Sequence, residues 1–131
     1  MVKYTLDERI ARARQLHKEG YNCAQCVVMV FDDIYDLDTN TAAKVSAGMG
    51  GGVGGQRQVC GTVSGMAMTL GLTQYASPAD KAATYQAVKD YSNEFTAING
   101  SIVCSELLKA GRKPCIELII DAITIIDKKL R

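Results

Sequence analysis

The sequence has no excess of charge of either sign, no long hydrophobic run, no stretch that alternates polar and apolar residues, and only one histidine. Lys and Arg number 15 against 14 Asp and Glu, a formal net charge of +1. Neither a nucleic-acid backbone nor an anionic membrane is drawn to such a molecule as a whole. No apolar run reaches the roughly 18 residues of a spanning helix, so membrane insertion is not expected. The opening stretch MVKYTLDERIARARQLHKEG has neither the apolar segment nor the small-residue cleavage site of a secretory signal, and a cytoplasmic location is expected. The lack of period-two alternation argues against half-buried strands, and no internal repeat is present. With 131 residues, 47% of them hydrophobic, the chain suits one domain over 1–131 with enough apolar surface for a core.

What is present reads as helix after helix. Thr5 and Glu8 form a capping-box pair, Leu6, Ile10, Ala13 and Leu16 recur at helical spacing, and Gly20 ends the segment. Asn22 reads as the N-cap of a second helix, with Cys23, Cys26, Val27, Val30, Phe31 and Ile34 on one face. A short helix is predicted over about 41–47. The stretch GMGGGVGG at 48–55, six glycines in eight residues, is a loop. The small apolar run CGTVSGMAMTLGL from Cys60 to Leu72 has Gly61 and Gly65 on one face and predicts a buried central helix. Ser77, Pro78 and Asp80 start a long helix to about Ile98, with Tyr85, Val88, Tyr91 or Ser92, Phe95 and Ile98 as its stripe. A helical turn after Cys104 is closed by Gly111. Pro114 opens the last helix, on which Ile116, Ile119, Ile120, Ile123, Ile126 and Leu130 share a face. The expected fold is all-α, a compact bundle of about five to six helices with a glycine-rich loop.

Five cysteines in a chain expected in a reducing compartment point to metal ligation or redox chemistry rather than to permanent disulfides. Cys23, Cys60, Cys104 and Cys115 all fall at predicted helix starts, where free N–H groups and the helix dipole favour a thiolate. Cys26 lies one turn further along, on the face of Cys23. Buried cysteine as a small hydrophobe is the plainer alternative. The spacings fit no zinc-finger or ferredoxin run, so a shared site must be assembled by tertiary packing.

The succession YNCAQ at 21–25, VCGTVSG at 59–65, SIVCSELL at 101–108 and KPCIELI at 113–119 resembles the redox-active protein family named for its C, CGAxxG, C, C pattern, over nearly the whole chain. The resemblance carries the family cysteines onto Cys23, Cys60, Cys104 and Cys115 and the family glycines onto Gly61 and Gly65. Thr62 stands where the motif has Ala, with some crowding of the helix contact expected, and Cys26 is an additional thiol. The resemblance implies a small helical protein that is redox-active or metal-binding. Covalent c-type haem is excluded, because Val27 follows Cys26 and no C-x-x-C-H occurs.

Gly50, Gly52 and Gly55 satisfy G-x-G-x-x-G, but the strand before it and the acidic residue after it are missing, so dinucleotide binding is not supported. The loop, with Gly50, Gly51 and Gly52, is expected instead to approach the Cys60 site closely and donate N–H groups to sulfur. Cys23-Ala-Gln-Cys26 opens a helix as thioredoxin-type cysteines do, without the βαβ setting. His17, Met66 and Met68 are assigned no chemistry, and Asp32 and Asp33, being adjacent, do not pair.

The leading expectation is a redox protein whose Cys23, Cys60, Cys104 and Cys115 converge at helix N-termini to hold a thiolate-ligated metal centre, an iron–sulfur cluster by preference. The rivals are a thiol–disulfide protein using Cys23 and Cys26 or another pair, and a structural zinc module. An electron-transfer partner is implied but not identified. A homodimer is expected to cover the long apolar stripes.

Overall fold

In a computed structural model, which describes residues 2–109 and 113–131, the capping box at the start is formed. Glu8 N donates to Thr5 Oγ1 at 3.1 Å and Thr5 N donates to Glu8 Oε1 at 2.9 Å. It opens α1 (Leu6–Lys18), which ends where Gly20 takes φ +102° and Tyr21 N reaches back to Leu16 O at 3.1 Å. There follow α2 (Cys23–Met29), α3 (Thr39–Ser46), α4 (Gly61–Gln74), α5 (Lys81–Asn99), α6 (Cys104–Leu107) and α7 (Cys115–Lys129). Single 3₁₀ turns precede the glycine loop and α5. The fold is all-α, with seven α-helices among the described residues rather than five or six, because the turn after Val103 closes into one. Gly111, expected to close that turn, lies outside the described residues. No described helix is long and apolar enough to cross a membrane.

Helices α2, α4 and α7 each pack against at least three other helices. The most extensive helix contact is between α2 and α4, and two glycines make it possible. A Cβ on Gly65 would stand 2.8 Å from Val27 Cβ, closer than real side chains come, and a tight 3.1 Å from Ala24 O. Helix α7 packs against α1, α2, α4 and α5, so its buried arc is wider than the isoleucine face read from spacing and also takes in Leu118, Ala122 and Ile125.

Helix α2 stops at Met29, short of the Ile34 expected from periodicity. Its last carbonyls are taken by side chains. Arg9, 1% exposed, donates through Nη1 to Val30 O at 2.6 Å and to Asp33 Oδ1 at 2.6 Å, and through Nε to Asp127 Oδ2 at 3.1 Å. The Tyr35 hydroxyl donates to Val28 O. A carbonyl bonded to a side chain no longer draws the amide four residues on, and the chain leaves the helical path in turns over 30–34. Asp32 and Asp33 thus serve different cations, since Asp32 takes both Nη atoms of Arg12 at 2.7–2.8 Å.

The stripe of α5 is narrower than predicted. Phe95 is fully buried and Val88, Tyr91 and Ser92 are partly so, whereas Tyr85 is 60% and Ile98 52% exposed. On a helical wheel Tyr85 and Ile98 flank the line through Val88 and Phe95 on opposite sides, so neighbours that cover that line leave both outside.

Candidate thiol site

All four cysteines singled out by sequence stand at helix starts. Cys23 is the first residue of α2, behind an Asn22 whose side chain and that of Gln25 form a reciprocal capping box. Cys60 is the N-cap of α4, Cys104 the first residue of α6, and Cys115 the first of α7 behind Pro114. Far apart in sequence, they line one small cavity of about 60 Å³. Arg57, Gly51 and Thr62 also face it, and Leu107, Leu108 and Leu118 supply apolar wall.

The register of two of the sulfurs comes from a contact with no counterpart in the helical pattern. Segments 57–60 and 102–105 meet as one antiparallel bridge between Val59 and Val103, the only sheet-like pairing among the described residues. Cys60 N donates to Ile102 O at 2.8 Å, Cys104 N to Gln58 O at 2.6 Å, and Ser105 N to Arg57 O at 3.2 Å. Side chains alternate across extended backbone, so Cys60 and Cys104 emerge on the face opposite Val59 and Val103. A third sulfur is set by a missing methyl group: a Cβ on Gly61 would lie 2.5 Å from Cys23 Sγ, 3.0 Å from Met49 O and 3.3 Å from Ala24 N. Gly61 is therefore the gap through which the Cys23 sulfur reaches the start of α4.

The glycine loop is a left-handed turn. Gly51, Gly52, Val53, Gly54 and Gly55 have φ between +58° and +78°. Four glycines adopt this freely, and Val53 is carried along at a cost for its branched side chain. The amides of Val53, Gly54, Gly55, Arg57 and Gln58 donate to carbonyls of Gly48 to Gly52 at 2.8–3.3 Å, so these five N–H groups are engaged within the loop. Gly50 instead packs on the Asn22 side chain and Gly52 on the backbone of Arg57 and Gln58. What the loop brings to the cavity is Gly51 and Arg57. Arg57 is itself held at φ +64°, and its Nη1 stands 3.8 Å from Cys104 Sγ.

The thiols differ in setting. Cys115 is exposed, Cys23 half-buried, and Cys60, Cys104 and Cys26 are buried. Burial pushes the Cys60 thiol up, against the Thr62 hydroxyl and the Thr62 and Val63 amides, which ease its ionisation; a charge on Cys23 adds to the rise. Desolvation thus outweighs the helix-start effect that favours thiolate at this position. Cys26 is pushed up to about 12 by burial, with a further push from Cys23. It lines no part of the cavity, and its sulfur donates to Tyr21 O, 3.7 Å away.

Sequence reasoning missed Arg57, because nothing in Gln-Arg after a glycine loop signals a left-handed residue facing sulfur. Thr62 is visible in the sequence as a departure from the alanine of the motif. It is fully buried, with its hydroxyl beside the Cys60 sulfur, whose ionisation it eases. Among the described residues no three His, Cys, Asp or Glu side chains stand close enough together to hold a metal ion, so the sulfurs surround the cavity without closing on a common point.

No curated protein and no solved structure matches the chain. A family model matches residues 21–129, from the residue before Asn22 to the end of α7, and so includes all four cavity cysteines. Its name orders the central letters GCAxxG; here the run is Cys60-Gly61-Thr62-Val63-Ser64-Gly65, with glycines in the places of the order CGAxxG. The chain belongs to the family described as "Putative redox-active protein (C_GCAxxG_C_C)".

Proposed function

We propose that the protein is a thiol redox protein whose working groups are Cys23, Cys60, Cys104 and Cys115, two of which cycle between dithiol and disulfide. The observation that carries this reading is that four cysteines distant in sequence line one cavity, while the fifth, Cys26, is excluded from it. Cys115, the exposed sulfur, meets the partner, a disulfide. Its thiolate attacks one partner sulfur, forming a mixed disulfide and releasing the other as thiolate. A second cavity thiolate then attacks Cys115 Sγ, closing the protein disulfide and releasing the remaining partner thiolate. Two electrons pass to the partner, and the two protons lost by the cysteines go to its two thiolates. Cys23, half-buried, and the buried Cys60 and Cys104 are the candidates for the second sulfur.

A thiolate-ligated centre, an iron–sulfur cluster or else zinc, is the second reading. The shared cavity favours it; the spacing of the sulfurs does not, since they would have to draw inward to meet one ion. The test is thiol titration and peptide mapping of the protein equilibrated over a range of dithiol/disulfide poise, with metal analysis of protein purified without oxygen. The dithiol reading expects a single two-electron transition linking two of the four cysteines, lost in Cys115→Ser and kept in Cys26→Ser. Stoichiometric metal that disappears in Cys60→Ser, with no linked cysteine pair at any poise, overturns it in favour of the second reading.

A further inference from the structure

Cys23, Cys60 and Cys104 line the cavity with Cys115, but their surroundings suit them unequally to attack it. A sulfur that attacks carries negative charge as it does so. For Cys60, burial works against that charge more than the Thr62 hydroxyl and the nearby amides favour it. Cys23 Sγ is lodged in the gap at Gly61, against the backbone that starts α4, between the two helices with the most extensive contact of the fold. Cys104 has a cation beside it: Arg57 Nη1 donates to its Sγ at 3.8 Å. Arg57 is fixed on both sides, since its N–H donates to Gly51 O at 2.9 Å and its carbonyl accepts from Ser105 N at 3.2 Å. These bonds hold it at φ +64°, a strained conformation for a residue with a β-carbon.

The packing points the same way. Closing a disulfide draws two sulfurs to about 2.05 Å, and the element carrying one of them has to give. Helices α2, α4 and α7 each pack against at least three others, whereas α6, four residues long, shares no extensive contact with another helix. Cys104 is the first residue of α6. Its partner is not Cys60. The two stand diagonally across the Val59–Val103 bridge, a relation that sets Cα atoms about 7–8 Å apart, whereas a disulfide spans at most about 7 Å without backbone movement.

We propose that Cys104 is the second sulfur of the working pair, and that the Arg57 guanidinium offsets the charge this sulfur carries while it attacks Cys115. The proposal rests on the dithiol reading and names the residues that complete it. The Cys104 thiolate attacks Cys115 Sγ of the mixed disulfide. The Cys104–Cys115 bond forms, the bond from Cys115 to the partner sulfur breaks, and that sulfur leaves as a thiolate with the electron pair of the broken bond. The proton lost by Cys104 goes to it, the partner disulfide being the two-electron oxidant. Because Arg57 is exposed, water and salt screen its charge and limit its effect.

The test treats the reduced protein with oxidised glutathione as the partner disulfide, quenches with acid at intervals and maps the peptides by mass. A glutathione mixed disulfide on Cys115 is expected first, then a Cys104–Cys115 link. Cys104→Ser should stop at the mixed disulfide, while Cys23→Ser and Cys60→Ser should close. The map of the unsubstituted protein identifies the same pair with no risk to the fold. Arg57→Gln keeps a β-carbon at the left-handed position and should slow the closing step about threefold to fivefold at low ionic strength. Arg57→Lys should restore most of the rate, and the deficit of Arg57→Gln should shrink as salt is raised, which a merely structural role would not produce. A link from Cys115 to Cys23 or Cys60, an undiminished rate in Arg57→Gln, or a deficit that salt does not change overturns the proposal and leaves dithiol cycling standing. Absence of any linked pair in the unsubstituted protein and in every variant overturns the functional reading, and this inference with it.

Discussion

Gly61→Ala adds one methyl group where the Cys23 sulfur comes closest to α4. Its Cβ would stand 2.5 Å from Cys23 Sγ, 3.0 Å from Met49 O and 3.3 Å from Ala24 N. None of these is the end of a flexible side chain: Cys23 turns about one bond, and the other two atoms are backbone. Overpacking of this kind costs about 1–3 kcal/mol, while Gly→Ala within a helix returns up to about 1 kcal/mol. A net loss of about 1–2 kcal/mol is expected, a fall in Tm of about 4–8 °C for a chain of this length. Thermal unfolding followed by circular dichroism reads it. The decisive comparison is the same substitution in a Cys23→Ala background. With the sulfur gone the closest obstacle is gone, so the penalty should shrink by about 1 kcal/mol, the size of coupling expected for groups in contact. Gly65→Ala separates packing from chemistry. It meets Val27 Cβ at 2.8 Å and Ala24 O at 3.1 Å, so it should destabilise as much or more, yet leave Cys23 reactivity alone. An unchanged Tm for Gly61→Ala, or an equal penalty with and without the Cys23 sulfur, would refute the argument that Gly61 exists to admit that sulfur.

Alkylation of the reduced native protein by iodoacetamide near pH 8, followed by peptide mass analysis, should modify Cys115 first, while Cys26, buried and pushed up to about 12, should stay unmodified until the protein unfolds; early loss of the Cys26 thiol would contradict its placement in the core. Acid should weaken the fold through Arg9 and its partners. Burial pushes the Asp33 and Asp127 carboxyls up, but for Asp33 the Arg9 guanidinium and the Lys3 amide, and for Asp127 the Arg131 and Arg9 guanidinium groups, more than offset it and hold both below the usual range. A carboxyl lowered in the folded state contributes stability that is present above its unfolded value of about 3.9 and is lost as pH falls through the folded value. The urea midpoint should therefore be flat from pH 7 to about pH 5 and fall below it, with a shallower fall in Asp33→Asn; an equally steep fall in that variant would show that Asp33 is not among the responsible groups.

Much of the fold could be read in advance because its signals are local. Thr5 with Glu8, Asn22 with Gln25 and Ser77 with Asp80 mark helix starts through hydrogen bonds that span three residues, Pro114 before Cys115 marks one through its fixed φ, and the chain encodes these without knowing its neighbours. The placement of four cysteines at such starts was legible for the same reason. Where helix α2 ends was not, since Val30 O is claimed by Arg9, 21 residues earlier in the chain, and Asp33 and Asp127 meet on that same arginine. The glycine loop was legible as a loop, but not as a left-handed turn that engages the amides of its second half and turns Arg57 toward Cys104. The bridge between Val59 and Val103 links residues with no shared periodicity, and it alone sets Cys60 and Cys104 on one face. The sequence by itself determined which cysteines stand at helix starts and which glycines lie between α2 and α4. Tertiary structure alone decided that four of the five sulfurs share a cavity and that Cys26, one turn from Cys23, is shut out of it. The division follows from range: caps and periodicity act within a turn or two of helix, whereas a site built from four helix starts exists only once packing has brought them together.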